Sequence, residues 1–153
     1  MTYRRLLVPM DDSPTAQRGL GEAIALAREL RSTLVLLHVI ELMPMMPEVG
    51  TAEAWEAIRE GLKATGQRVL DEAGRQVRAA GVACETVLGE LDARRPADVI
   101  VDQAAAQRCD LIVMGTHGRR GIGRALLGSD AELVLRQSPV PVLLVRGAGA
   151  AKT

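Results

Sequence analysis

Apolar residues recur along this chain with two different periods, one that suits strands and one that suits helices. Residues 5–10 (RLLVPM) form a short apolar run that is cut off by Asp11, Asp12, Ser13 and Pro14. Such a run predicts a strand end and then a helix start, with Ser13 as N-cap and Pro14 as the first helical residue. Apolar residues follow at Ala16, Leu20, Ala23, Ile24, Ala27 and Leu30, while Arg18, Glu22, Arg28 and Glu29 occupy the other face. That is the stripe of a helix lying on a sheet. Residues 33–39 (TLVLLHV) are apolar almost throughout, the pattern of a strand covered on both faces. A helical crossover between two such runs fits a parallel βαβ unit.

The alternation continues to the end. Residues 40–50 (IELMPMMPEVG) are too broken by proline for a helix and too apolar for an ordinary solvated loop; they read as a flap or as disorder. A long helix is expected over about 52–80, with Trp55, Ile58, Leu62, Val69, Ala73, Val77 and Ala80 on one side. Gly61, Gly66 and Gly74 argue against its regularity, and Gly81 is its expected stop. Residues 82–88 read as a third strand, 89–95 as a polar connection, and Pro96 opens a helix carrying Val99, Ile100 and Ala104. Residues 110–114 (DLIVM) give a fourth strand, 129–137 a short helix, and 140–145 (VPVLLV) a last strand. Strict alternation with fully apolar strands predicts a doubly wound, five-stranded parallel sheet in an α/β fold, because right-handed crossovers place helices on both faces. Pro141 puts the last strand at an edge.

Composition narrows what such a domain does. The 153 residues carry 19 Lys plus Arg against 19 Asp plus Glu, so no net field holds the chain on nucleic acid or an anionic membrane. Tyr3 and Trp55 are the only aromatic residues, which leaves no stacking platform for single-stranded nucleic acid. Cys84 and Cys109 lack metal-ligand spacing, and His38 and His117 complete no zinc set, so the thiols read as reduced and buried. The apolar runs are strand-sized and no signal peptide is legible, which leads to the expectation of a cytoplasmic protein.

The segment that carries chemistry is residues 115–129. Gly115 and Gly118 stand where the chain leaves the fourth strand, and Gly128 and Ser129 where it enters a helix. A phosphate needs close backbone approach, convergent N–H donors and a helix N-terminus, all of which this placement supplies. The loop has neither the Walker A lysine nor the dinucleotide spacing.

The pattern Gly115-x2-Gly118-x9-Gly128-Ser129 resembles the signature of ATP-binding universal stress proteins. The resemblance extends through LLVPMDDS, LLHVIE, DLIVMGTHG and LLGSDAELVLRQSPVPVLLVR, in the family's order, over nearly the whole chain. It implies a flavodoxin-like, adenine nucleotide alpha hydrolase-like sheet of order 3-2-1-4-5, one domain over residues 1–147 and a short flexible tail over 148–153. It also implies ATP at the carboxyl ends of strands one and four, with Mg as an open addition. Adenosine contacts would fall on Pro9, Met10, Asp11 and the backbone of Val39. Phosphate contacts would fall on Met114, Gly115, Gly118, Gly128, Ser129 and Asp130; apart from the resemblance, Arg119 or Arg124 of the same loop is expected to approach the phosphates. The family further implies a homodimer through residues 140–145 and a protein partner of unassigned identity. Two positions depart from its pattern. Asp130 stands where a small aliphatic residue is common, so it either repels phosphate, recruits a cation or serves the helix dipole. Asp12 reads as part of an acidic helix start.

On these grounds the expected function is that of an ATP-dependent sensor or regulator of stress response. The alternatives are a slow Mg-dependent ATPase or phosphate-transfer enzyme, drawing on Asp11, Asp130 or His117, and a non-nucleotide dimeric interaction module. No residue is assigned a catalytic role. His38 reads as a core or strand-end histidine and His117 as a solvent-facing one; Arg120 and the Met43, Met45 and Met46 cluster stay unassigned.

Overall fold

A strand that is apolar on both faces has to be covered on both, and the chain meets that demand with two helices on each side of one sheet. The computed structural model describes residues 3–42, 50–91, 94–117 and 127–147. In order these form β1 (Arg5–Pro9), α1 (Pro14–Leu30), β2 (Thr33–Glu41), α2 (Ala52–Ala79), β3 (Cys84–Leu91), α3 (Pro96–Ala106), β4 (Leu111–Gly115), α4 (Ser129–Gln137) and β5 (Val142–Val145). The sheet has the order β3-β2-β1-β4-β5 with every neighbouring pair parallel. The expected doubly wound α/β architecture and strand order are both present.

Side-chain alternation along the strands divides the core in two. Leu6, Val8, Leu34 and Leu36 pack with Leu20, Ala23 and Ala27 of α1 and Leu70, Ala73 and Val77 of α2. On the opposite face Leu7, Val35, Leu37 and Ile112 pack with Ala97, Ile100 and Ala104 of α3 and Ala131 and Val134 of α4. Leu6, Leu7 and Val8 are all fully buried, each worth roughly 1.5–3 kcal/mol in transfer free energy. Three consecutive residues of β1 thus feed both cores, which fixes this strand at the centre.

Several boundaries differ from the sequence reading, each for a visible reason. The third strand runs to Leu91 because β2 extends to Glu41 and carries its partner with it, Val39 opposite Gly89 and Glu41 opposite Leu91. Gly89 therefore lies in a strand, where a Cβ would crowd Val99 at 3.1 Å. β4 starts at Leu111 because the Asp110 carboxylate accepts the Arg4 and Arg5 N–H groups, at 2.9 and 3.1 Å, and closes the start of β1. The last strand starts at Val142, since Ser138 Oγ turns the chain by bonding both the N–H and the carbonyl of Val140. Pro141 still accepts from the Ile112 N–H at 3.0 Å, entering the sheet by its carbonyl alone, and β5 lies at the edge as Pro141 foretold.

The three glycines expected to disturb α2 do not interrupt it. Gly66 and Gly74 are buried, and a Cβ on Gly66 would lie 2.6 Å from His38 Cδ2; the glycine lets the helix settle on the sheet. Helix α1 ends at Arg31 in the left-handed conformation, φ 58°. Among the described residues no helix is long and apolar enough to cross a membrane. The expected flap around Met43, Met45 and Met46 and the tail at 148–153 lie outside the described residues.

Candidate functional site

β1 lies between β2 and β4, and the chain leaves β1 and β4 in opposite directions. α1 goes to one face of the sheet and α4 to the other. Diverging connections open a crevice beyond the carboxyl ends of two parallel strands, the usual ligand position in such sheets.

On the β1 side, Pro9 is the last residue of the strand, opposite Leu37. The Met10 N–H adds one more bond, to the Leu37 carbonyl at 2.7 Å, and the Met10 carbonyl accepts from His38 Nδ1 at 2.9 Å. Asp11 turns the chain by accepting the Ser13 N–H on Oδ1 at 2.8 Å. Ser13 then caps α1 by accepting the Ala16 N–H at 3.2 Å, as expected of it.

On the β4 side, the Thr116 N–H donates to the Val145 carbonyl at 3.0 Å, and the Thr116 carbonyl accepts the Gly128 N–H at 2.7 Å. That second bond pins both ends of the connection between β4 and α4 to one point. It also delivers the start of α4 to the end of β4. Gly128 is the N-cap and has no side chain with which to bond the first-turn amides, so these donors remain for whatever faces the helix end. Asp130 and Glu132 stand in the same first turn, and Asp130 is half-buried.

The two sides are locked together. Thr15 Oγ1 donates to the His117 carbonyl, and Gly147, just after β5, lies against Thr15 Cγ2, where an added Cβ would sit at 3.0 Å. The motif glycines serve this contact. A Cβ on Gly115 would lie 2.8 Å from the carbonyl carbon and oxygen of Thr15, and one on Gly128 would lie 2.8 Å from the Thr116 carbonyl oxygen. Both are closer than real Cβ contacts come, and both obstacles are backbone.

The structure therefore brings Pro9, Met10 and Asp11 to one wall of the crevice, and Met114, Gly115, Gly128, Ser129 and Asp130 to the other. Val39 stands on the part of β2 that outruns β1. Gly118, Arg119, Arg120 and Arg124 lie outside the described residues. Met10 and Met114 are only 3% and 7% exposed, so main-chain atoms are what they can offer a ligand. His117, expected to face solvent, is half-buried with Nδ1 3.0 Å from Thr116 Oγ1. Among the described residues no group of three or more His, Cys, Asp and Glu is placed to hold a metal ion.

Sequence reasoning missed Thr15, Thr116 and the bond made by His38. A hydroxyl two residues after an N-cap serine was the available signal for Thr15, and it does not name a partner far away in the chain.

Comparison with known proteins agrees with this fold. The profile described as "Universal stress protein family" matches residues 2–146. Universal stress protein MJ0531 of Methanocaldococcus jannaschii is 35% identical over 146 residues, covering 94% of this chain and 82% of that protein. The solved structure of MJ0577 from the same organism superposes with a TM-score of 0.85 at 26% identity, covering 98% of this chain and all of that one. A universal stress protein solved in complex with cAMP shares the fold, with a TM-score of 0.69 at 24% identity, covering 97% of this chain and all of its own. With its sheet order, its matched length and these relatives, the chain belongs to the universal stress protein family.

Proposed function

We propose that the crevice between β1 and β4 binds an adenine nucleotide, ATP for preference, and that the chain acts as a nucleotide-dependent sensor or regulator of stress response in the cytoplasm. The observation that carries this reading is the Gly128 N–H bond to the Thr116 carbonyl. It sets the uncapped amino end of α4 at the switch point of the sheet, where a helix end favours an anion. The phosphates are then held by the amides of Gly128, Ser129 and Asp130, the Ser129 hydroxyl, and the backbone of Met114, Gly115 and Gly118, with Arg119 alongside. Adenosine lies against Pro9, Met10 and Asp11 and the backbone of Val39. Of the two Asp11 oxygens, Oδ1 is engaged by the Ser13 N–H, leaving Oδ2 for a ribose hydroxyl. Any Mg is shared with phosphate oxygens, since that ion commonly takes a few protein ligands and completes its shell from phosphate and water. That a protein of this fold holds cAMP is support by fold-level analogy only.

The edge strand β5 supports a homodimer. Leu143 is 41% exposed at the rim of a groove it shares with Glu22, Ala25, Leu26, Arg28 and Glu29 of α1, and unpaired strand edges are commonly covered by a second chain.

Isothermal titration with ATP, and with ATP plus Mg, tests the site. The Gly128→Val variant is expected to abolish binding, because its side chain points at the Thr116 carbonyl and displaces the helix start. Full ATP affinity in a folded Gly128→Val protein contradicts the assignment.

A further inference from the structure

His38 is buried, 8% exposed, and among the described residues its ring bonds through Nδ1 to the carbonyl of Met10 at 2.9 Å. A carbonyl only accepts, so the imidazole holds its proton on Nδ1. The consequence lies in the ladder between β1 and β2. Thr33 and Leu37 bond toward β1, through the Arg4 carbonyl and the Met10 N–H, whereas Leu34 bonds toward β3 through the Ala83 carbonyl. By this alternation, which runs without a break in register from Leu34 to Glu41, the N–H and carbonyl of Val39 also point toward β1.

Had the ladder gone one rung further, the Val39 N–H would have met the Met10 carbonyl. Among the described residues that bond is not formed; the Met10 carbonyl is given to His38 instead. Among the described residues neither polar backbone group of Val39 has a partner on the β1 side, and both lie past the end of β1, beside the crevice. A donor and an acceptor on the same side of an extended residue match a planar edge that carries the complementary pair, such as the ring nitrogen and exocyclic amine of adenine. Guanine, whose corresponding edge carries a ring N–H and a carbonyl, presents them in the reverse order.

The ring is held in this role from the other side. Gly66 of α2 leaves just enough room for it, since a Cβ there would stand 2.6 Å from His38 Cδ2 and 3.2 Å from Nε2. We propose that His38 is a positioning residue for base recognition: by engaging the Met10 carbonyl it keeps the Val39 backbone open to the adenine edge. This rests on the nucleotide reading of the crevice and adds to it the residue that sets base preference.

The test is titration of wild type, His38→Leu and His38→Asn with ATP, GTP and inorganic tripolyphosphate. His38→Leu is expected to weaken ATP binding about tenfold, the worth of one such hydrogen bond, and to reduce the preference for ATP over GTP. Its affinity for tripolyphosphate stays within about twofold of wild type, and His38→Asn, whose amide N–H takes the place of Nδ1, recovers most of the loss. Unchanged ATP affinity and preference in His38→Leu overturn the inference, as does an equal loss for ATP and tripolyphosphate, or an Asn variant no better than Leu. Should the Leu variant not fold, amide exchange at Val39 in the wild type decides. Fast exchange without ligand and slowing with ATP support the inference, and protection already present without ligand refutes it. Wild-type protein that binds neither ATP nor tripolyphosphate removes the nucleotide reading itself, a result distinct from all of these.

Discussion

Gly115→Ala isolates what the first glycine of the motif is for. The added Cβ would lie 2.8 Å from the carbonyl carbon and oxygen of Thr15 and 2.9 Å from Thr15 Cβ. No rotamer change relieves contacts with backbone, so either the start of α1 or the end of β4 has to shift. Overpacking of this kind costs about 1–3 kcal/mol, against a gain of roughly 0.5–1 kcal/mol from the lower entropy of the unfolded chain. With backbone atoms in the way the cost falls in the upper half of that range, so the net expectation is a loss of about 1–2.5 kcal/mol, which for a chain of this size lowers Tm by about 2–10 °C. Gly21→Ala is the internal control: this glycine lies exposed inside α1 with nothing within 4 Å of its Cβ position, so alanine there stabilises by up to about 1 kcal/mol. Urea and thermal unfolding of ligand-free protein read both. If Gly115→Ala is as stable as wild type without ligand, the glycine answers to a ligand and not to Thr15, and the packing argument is wrong.

Other expectations follow from the same contacts. Thr15→Val keeps the shape but removes the hydroxyl that donates to the His117 carbonyl; it is expected to cost about 1 kcal/mol and to speed amide exchange at Thr116 and Gly128. Asp130→Ala removes a carboxylate from the first turn of α4 and is expected to tighten ATP binding in EDTA by about two- to fivefold, the scale of one charge at a helix end; titration that shows weaker binding would place the phosphates elsewhere. Hydrogen bonds from Arg59 hold the Glu90 carboxyl below its ordinary value of 4.5, with Lys63 adding to the effect. A lowered carboxyl pKa stabilises the fold above that value and loses its contribution as pH falls through the folded one, so Glu90→Gln should flatten the fall of the urea midpoint below about pH 4.5. Burial pushes the Cys109 thiol from 9.0 up to about 11. It therefore stays protonated in the fold while the unfolded chain ionises, stability drops as pH rises between those values, and a thiolate reagent near neutral pH labels half-buried Cys84 well before Cys109.

The elements of the fold were legible because their signals are local. The Ser13 and Pro14 helix start, the double-sided apolar runs of β1 and β2, and Pro141 before an edge strand each state their structure within a few residues. The errors arose where a partner strand or helix decides. Gly89 reads as a loop residue until β2 supplies a strand for it to pair with. Gly66 reads as a helix defect until His38 is seen to lie under it. The same holds at the site. The spacing of Gly115, Gly118, Gly128 and Ser129 pointed to the carboxyl end of β4, where Gly115, Gly128 and Ser129 do lie, but it could not show that Gly115 and Gly128 are held by Thr15 and Thr116. Nor could it show that His38 bonds the Met10 carbonyl, because these contacts join residues from separate elements and leave no periodic trace.

Native mass spectrometry of the freshly purified chain, before and after addition of ATP, tests the central claim most directly. Nucleotide binding in the crevice gives a mass increment of one adenine nucleotide per chain, present from the outset or gained on addition, and lost in Gly128→Val. A wild-type chain that carries no nucleotide and gains none when ATP is added would contradict it.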